Sequence, residues 1–200
     1  MEAASEYARV FPSCSAHHQV KQRTAEVELA VRAVPTVDAD RIRFLRNAGN
    51  IGLAANILRC FEVAQAPWVW TLGDDDPPVA GAVAAILHEI AGAGEKTMLL
   101  KFNSTNGGQV DKHHEIHDLP ELSQWCLDLK FYSNLLFISS GVFRKEAVLS
   151  RLNVGYHWGY SVSPHIAILL HGVAAGYGVK LVPLDLVRHG LDESAQHWKV

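Results

Sequence analysis

The run Trp68-Val69-Trp70-Thr71-Leu72, closed by Gly73 and three successive aspartates, constrains this chain more than any other feature. Its β-prone, largely apolar residues predict a short buried strand over Trp68–Leu72. Pro77 and Pro78 follow, and proline is welcome in the first turn of a helix, so Val79–Ile90, rich in alanine, is expected to be that helix. Adjacent carboxylates repel one another and raise each other's pKa. A bound divalent cation removes that cost, and hard ions such as Mg2+ or Mn2+ prefer carboxylate oxygens while keeping positions open for phosphate. Ligands of open α/β sheets gather at the carboxyl ends of strands, where these aspartates are expected. A competing assignment makes Asp76 the N-cap of the helix that follows.

The rest of the chain alternates strand and helix patterns. Residues 1–21 show no period and read as an irregular leader. Gln22–Val34 reads as a helix with Ala25, Leu29 and Ala33 on one face, ended by Pro35. Arg41–Leu45 alternates polar and apolar residues and predicts a strand. Asn47–Gly52 is turn chemistry, and Leu53–Ala64 predicts a helix with Leu53, Ile57, Leu58 and Phe61 on one side. Further strands are expected over Thr97–Phe102, Leu135–Ser139 and Lys180–Val187. Helices are expected over Pro120–Leu129, Arg144–Leu152 and Pro164–Ala174. The polar, histidine-rich Asn103–Leu119 reads as a long surface loop and Asn153–Ser161 as an aromatic one. This order predicts an α/β fold, a largely parallel sheet flanked by helices, with residues 22–200 as one domain.

Composition narrows the class. With 48% hydrophobic and 20% charged residues the chain has a globular profile. Its net charge of -3 and the lack of a basic run leave nucleic acid without an electrostatic footprint. Cys14, Cys60 and Cys126 form no CxxC pair, which argues against a disulfide framework or zinc site and fits a reducing cytosol. The N-terminal MEAASEYARV lacks the pattern of a signal peptide. Ile166–Ala175, interrupted by His171 and Gly172, is too short to span a bilayer. A cytoplasmic protein is expected, free or peripheral at a membrane.

Taken together, RFLRNAGNIGLAANILRCFEVAQAPWVWTLGDDDPP resembles the central signature of the family-two glycosyltransferases. That family shows an asparagine and a glycine after a strand, a helix with a further asparagine, then a hydrophobic strand ending in an Asp-rich (DXD) metal motif. Here these are Asn47, Gly52, Asn56 and Gly73-Asp74-Asp75-Asp76. The resemblance implies a GT-A (Rossmann-like) fold and metal-dependent transfer of a sugar from a UDP- or GDP-linked donor to a saccharide, lipid-linked or protein acceptor. It implies that Asn47, Gly52, Asn56, Asp74 and Asp75 bind the donor, with Asp74 near the ribose. It gives Asp76, with Asp74, to a Mn2+ or Mg2+ ion, and His189 resembles a C-terminal histidine that helps hold metal or diphosphate in some members. FISSGVFRKE, from Phe137 to Glu146, resembles the segment lining the sugar and acceptor side. Two elements of the pattern are not found: the opening strands that hold the nucleotide base, so the chain reads as N-terminally truncated, and the acidic pair before a late helix. That place reads Tyr160-Ser161-Val162-Ser163-Pro164-His165.

Transfer needs a base for the acceptor hydroxyl, and direct displacement from one face would invert the anomeric centre. His165 is the candidate, then His157, with Asp128 and Glu115 behind them. Tyr156, Trp158 and Tyr160 suit either a sugar-stacking platform or a core plug. Two other functions compete: a degenerate, non-catalytic glycosyltransferase-like binding protein, and a sugar-phosphate nucleotidyltransferase. The latter should show a glycine-rich, Lys/Arg-bearing N-terminal loop, which is not found. A sheet edge left open by missing strands would favour association into a homo-oligomer.

Overall fold

Residues 42–73, 76–104, 107–128, 131–161 and 163–188 are described by the structure, a computed structural model. The expected helix Gln22–Val34, the leader, Asp74, Asp75 and His189 lie outside them. The expected strand Arg41–Leu45 does not form over residues 42–45, which are irregular. Helix α1 spans Gly52–Val63 and buries Asn56, Ile57, Leu58, Cys60 and Phe61. Leu53, expected on that inner face, is exposed in the first turn. The Asn50 side chain accepts the Gly52 N–H at 2.9 Å, and Gly52 sits at φ 77°, a conformation glycine adopts without a Cβ penalty.

Strand β1 covers Trp68–Trp70. Helix α2 (Ala82–Ala91) begins later than expected, because Gly81 at φ 82° turns the chain just before it. Strand β2 (Thr97–Asn103) is buried along its whole length, as a strand covered on both faces must be. The stretch expected as a loop contains a short strand, β3 (His114–Ile116), hidden by its histidines. Helix α3 (Leu119–Asp128) starts with a reciprocal cap: Asp118 Oδ1 accepts the Glu121 N–H, and Glu121 accepts the His117 N–H.

The next segment departs most from the sequence reading. Leu135–Ser139 is not a strand. Tyr132–Leu136 is a short helix, α4, and Ile138–Ser140 a 3-10 turn; the strand, β4, is Gly141–Arg144. Arg144–Leu152 divides into α5 (Lys145–Leu149) and α6 (Leu152–His157), so α6 takes up half of the expected aromatic loop. Helix α7 (Pro164–Ala174) has proline in its first turn, and β5 covers Gly178–Asp185.

The five strands order as β1-β4-β2-β5-β3. The sheet is mixed rather than largely parallel: β2 and β5 pair in parallel, whereas β1–β4, β2–β4 and β3–β5 are antiparallel. Gly141, the first residue of β4, pairs with Lys101 near the end of β2. The turn before β4 therefore sits at the carboxyl end of β2, and the chain enters the sheet there without a crossover back to the start.

Two apolar clusters sandwich the sheet. One joins Ile57, Leu58 and Phe61 of α1 to Leu99, Phe143, Leu181 and α7. The other joins Ala82 and Ile86 of α2 to Leu100, Phe102, Val142 and Val182. In β4 and β5 successive residues serve opposite clusters, Phe143 and Leu181 facing one and Val142 and Val182 the other, as the pleat requires. Phe61 and Phe143 meet edge to face at 5.2 Å, a favoured aromatic arrangement. Among the described residues no helix is long and apolar enough to cross a membrane.

Candidate functional site

The strand-to-turn passage after β1 is fixed from the side by the turn before β4. The Trp70 indole N–H donates to the Ser139 carbonyl at 2.8 Å, and the Gly73 N–H donates to Ser139 Oγ at 3.0 Å. Ser139 Oγ in turn donates to Asp76 Oδ2 at 2.6 Å. Asp76 is only 7% exposed, and its own N–H reaches back to the Gly73 carbonyl at 3.4 Å. The capping alternative fails: α2 begins at Ala82 with Gly81 at its N-cap, so Asp76 caps nothing there. Asp76 is thus held by the turn before β4 and not by the helix that follows it.

Pro77 and Pro78 extend the passage along the far end of β5. Val79 N–H donates to the Leu186 carbonyl at 2.9 Å, and Arg188 N–H to the Pro77 carbonyl at 2.9 Å. Arg188, the neighbour of His189 in the chain, thus pairs with Pro77, the neighbour of Asp76.

Behind the turn lies a buried polar layer that the sequence reading did not identify. Lys101, 2% exposed on β2, donates from Nζ to the Phe137 carbonyl and to Ser140 Oγ, both at 2.6 Å. Burial holds its amine well below the usual lysine range. Asn134 Oδ1 receives Ser104 Oγ at 2.8 Å, and its amide donates to the Phe102 carbonyl at 3.2 Å. The signal was present in the sequence as a lone lysine inside the apolar run TMLLKF, since an interior strand does not bury a charge without partners.

The other candidates fall into two places. Asn47 donates to Asn56 Oδ1 at 2.7 Å, tying the loop before α1 to its buried face. Gly52 lines a cleft of about 420 Å3 with Ile51, Leu53, Tyr156 and Tyr160. A donor-binding candidate and two of the aromatic candidates thus share one surface. Trp158 lies beside Tyr160, ring centroids 5.6 Å apart. All three rings are exposed, Tyr160 by 77%, which rules out the core-plug alternative. Tyr156 donates to Glu62 at 2.9 Å; burial first, then that carboxylate, raises its hydroxyl pKa, with Arg59 opposing.

His165 lies in the interior, 3% exposed, its ring edge-on to Phe143. Neither ring nitrogen has a hydrogen-bond partner. Desolvation, and secondarily the charge of Lys101, lowers its pKa to about 4, which the nearby Leu135 and Leu136 carbonyls only partly offset. In this arrangement it is a neutral, enclosed ring with no access to an acceptor hydroxyl. Of the lesser base candidates, Glu115 stands on β3, at the opposite edge of the sheet from β1, and Asp128 accepts from Gln124 at 2.7 Å.

The donor chemistry at Asp76 fits a hard cation. Such ions are commonly held by one or two carboxylates plus substrate phosphate oxygens, and a ligating carboxylate is normally itself hydrogen-bonded, as Asp76 is. Among the described residues no three His, Cys, Asp or Glu side chains converge on a metal position, and Asp74 and Asp75 fall outside them. No protein-family model matches the sequence, and no curated protein matches it.

Proposed function

We propose that this chain is a GT-A-like glycosyltransferase domain of the family-two type, which transfers a sugar from a UDP- or GDP-linked donor with the help of a divalent metal. The observation that bears most weight is the buried Asp76 carboxylate, fixed by Ser139 at the carboxyl end of β1. In support, the helix and the hydrophobic strand of the signature form as α1 and β1, although the strand expected ahead of them at Arg41–Leu45 does not form over its described residues. The FISSG segment, resembling the family's sugar-side segment, touches Asp76 through Ser139.

In this reading Asp76, with Asp74, holds Mn2+ or Mg2+, which neutralises the charge that develops on the leaving diphosphate. His189 is given to the same ion by the resemblance alone. Asn47, Gly52, Asn56 and Asp75 serve the donor, and the exposed rings of Tyr156, Trp158 and Tyr160 offer a stacking surface for a saccharide acceptor. The burial of His165 removes it from the role of base and gives weight to a second reading, a binding protein of the same fold that has lost catalysis. The test is nucleotide release from UDP- and GDP-sugars with Mn2+. Release abolished in Asp76→Ala supports the transferase; metal-dependent donor binding with no release favours the second reading.

A further inference from the structure

We propose that Lys101 is a positioning residue for the metal-binding carboxylate: it pins Phe137 and Ser140, which bracket the residue that holds Asp76, Ser139. The inference rests on the assignment of Asp76 to a divalent cation. The chain of contacts is short and continuous. Lys101 Nζ donates to the Phe137 carbonyl and to Ser140 Oγ, each at 2.6 Å, so two positions that bracket Ser139, one two residues before it and one directly after it, are attached to the central strand. Between them, Ser139 Oγ takes the Gly73 N–H and donates to Asp76 Oδ2. The Ser139 carbonyl takes the Trp70 indole N–H, which joins the same turn to the strand that leads to Asp76.

The economy of the core argues that this lysine does more than fill space. Every residue of β2 is buried, and the neighbouring Leu99, Leu100 and Phe102 are apolar. A methionine at position 101 would occupy the volume of the lysine stem without desolvating an amine, and burying an amine is costly. What the lysine adds is donors aimed at two fixed points of a 3-10 turn. Asn134 braces the layer from the far side: its Oδ1 accepts from Ser104 and from Ser140, the latter at 3.1 Å. Groups that orient a ligating carboxylate influence metal affinity without touching the metal, and their loss typically weakens binding about 10- to 100-fold.

The test measures Mn2+ itself, by electron paramagnetic resonance of the free and bound ion, on the full chain below the unfolding temperature of each variant. Under that condition a role limited to stability leaves affinity and the bound-ion line shape unchanged. Lys101→Met is expected to weaken Mn2+ binding by about ten-fold or more and to broaden the bound spectrum. Ser139→Ala should do the same. The double variant should be little worse than either single one, because both act through one turn. Ser139→Ala removes only a hydroxyl and, with Ser140→Ala, carries the test if the K101M chain does not fold. If K101M binds Mn2+ within about two-fold of wild type while Asp76→Ala loses it, Lys101 has no positioning role and the metal assignment stands. If the unaltered chain binds no Mn2+, the metal assignment falls, and this inference with it.

Discussion

Replacing Lys180 with methionine tests how helix α2 is fastened to the sheet. Lys180 on β5 donates to Glu89 of α2 at 2.7 Å, with side-chain exposures of 14% and 4%. His113, half exposed, lies against the other Glu89 oxygen at 2.9 Å. Removing one partner of a buried pair typically costs about 3–5 kcal/mol, because the remaining charge stays desolvated. His113 remains as a partner and Lys180 is not fully enclosed, so the lower end, about 3 kcal/mol, is expected. For a chain of this size that corresponds to a fall in Tm of about 6–12 °C. Urea unfolding followed by tryptophan fluorescence measures the loss directly. Burial alone would raise the Glu89 carboxyl, but hydrogen bonds and charge from Lys180 and His113 outweigh it and hold the pKa below the usual value. A depressed carboxylate pKa stabilises the fold above the unfolded value, and that stability disappears as the pH falls through the folded one. The gap between wild type and Lys180→Met should therefore close in acid. The double variant Glu89→Gln/Lys180→Met should recover part of the loss. A K180M cost under about 1 kcal/mol at neutral pH would mean that the Lys180–Glu89 pair does not stabilise the fold.

Other consequences are as direct. Phe61→Ala, which empties a fully buried site against Phe143, should cost about 3–5 kcal/mol in the same assay. His165 has a lowered pKa, so the fold should lose stability as the pH drops from about 6.5 toward 4, where the unfolded chain binds a proton that the folded one refuses. His165→Leu should flatten that part of the profile, and the ring's proton resonances should titrate near 4. Tyr160→Ala should change stability by less than about 0.5 kcal/mol, since the ring is exposed, yet weaken retention of the chain on immobilised saccharide acceptors.

The parts of the fold legible in the sequence are those where one physical signal dominates. Helix α1 follows from the 3.6-residue spacing of Ile57, Leu58 and Phe61, and α7 from Pro164 ahead of a long apolar stretch. The strand before the aspartates was visible because Trp68, Val69 and Trp70 suit a pleated surface and little else. Leu135–Ser139 misled because an apolar run that short fits a strand or a turn of buried helix equally well. Its consequence was global. With the turn placed at the carboxyl end of β2, β4 enters antiparallel, and the sheet becomes mixed. β3 was hidden because an edge strand facing solvent can be as polar as a loop. At the candidate site, carboxylate chemistry alone singles out Asp76, but its partner Ser139 lies 63 residues further along the chain, and no local pattern announces such a contact. His165 looked available because its helix-terminal position says nothing about what packs over it.

In the proposed function, Asp76 holds a metal that in turn holds a nucleotide. Calorimetric titration with UDP and GDP, with and without Mn2+, on the wild-type and Asp76→Ala chains tests it most directly. If Asp76 holds the metal, nucleotide binding requires Mn2+ and is lost in the variant. Equal binding with and without the metal, or binding that survives Asp76→Ala, would contradict it.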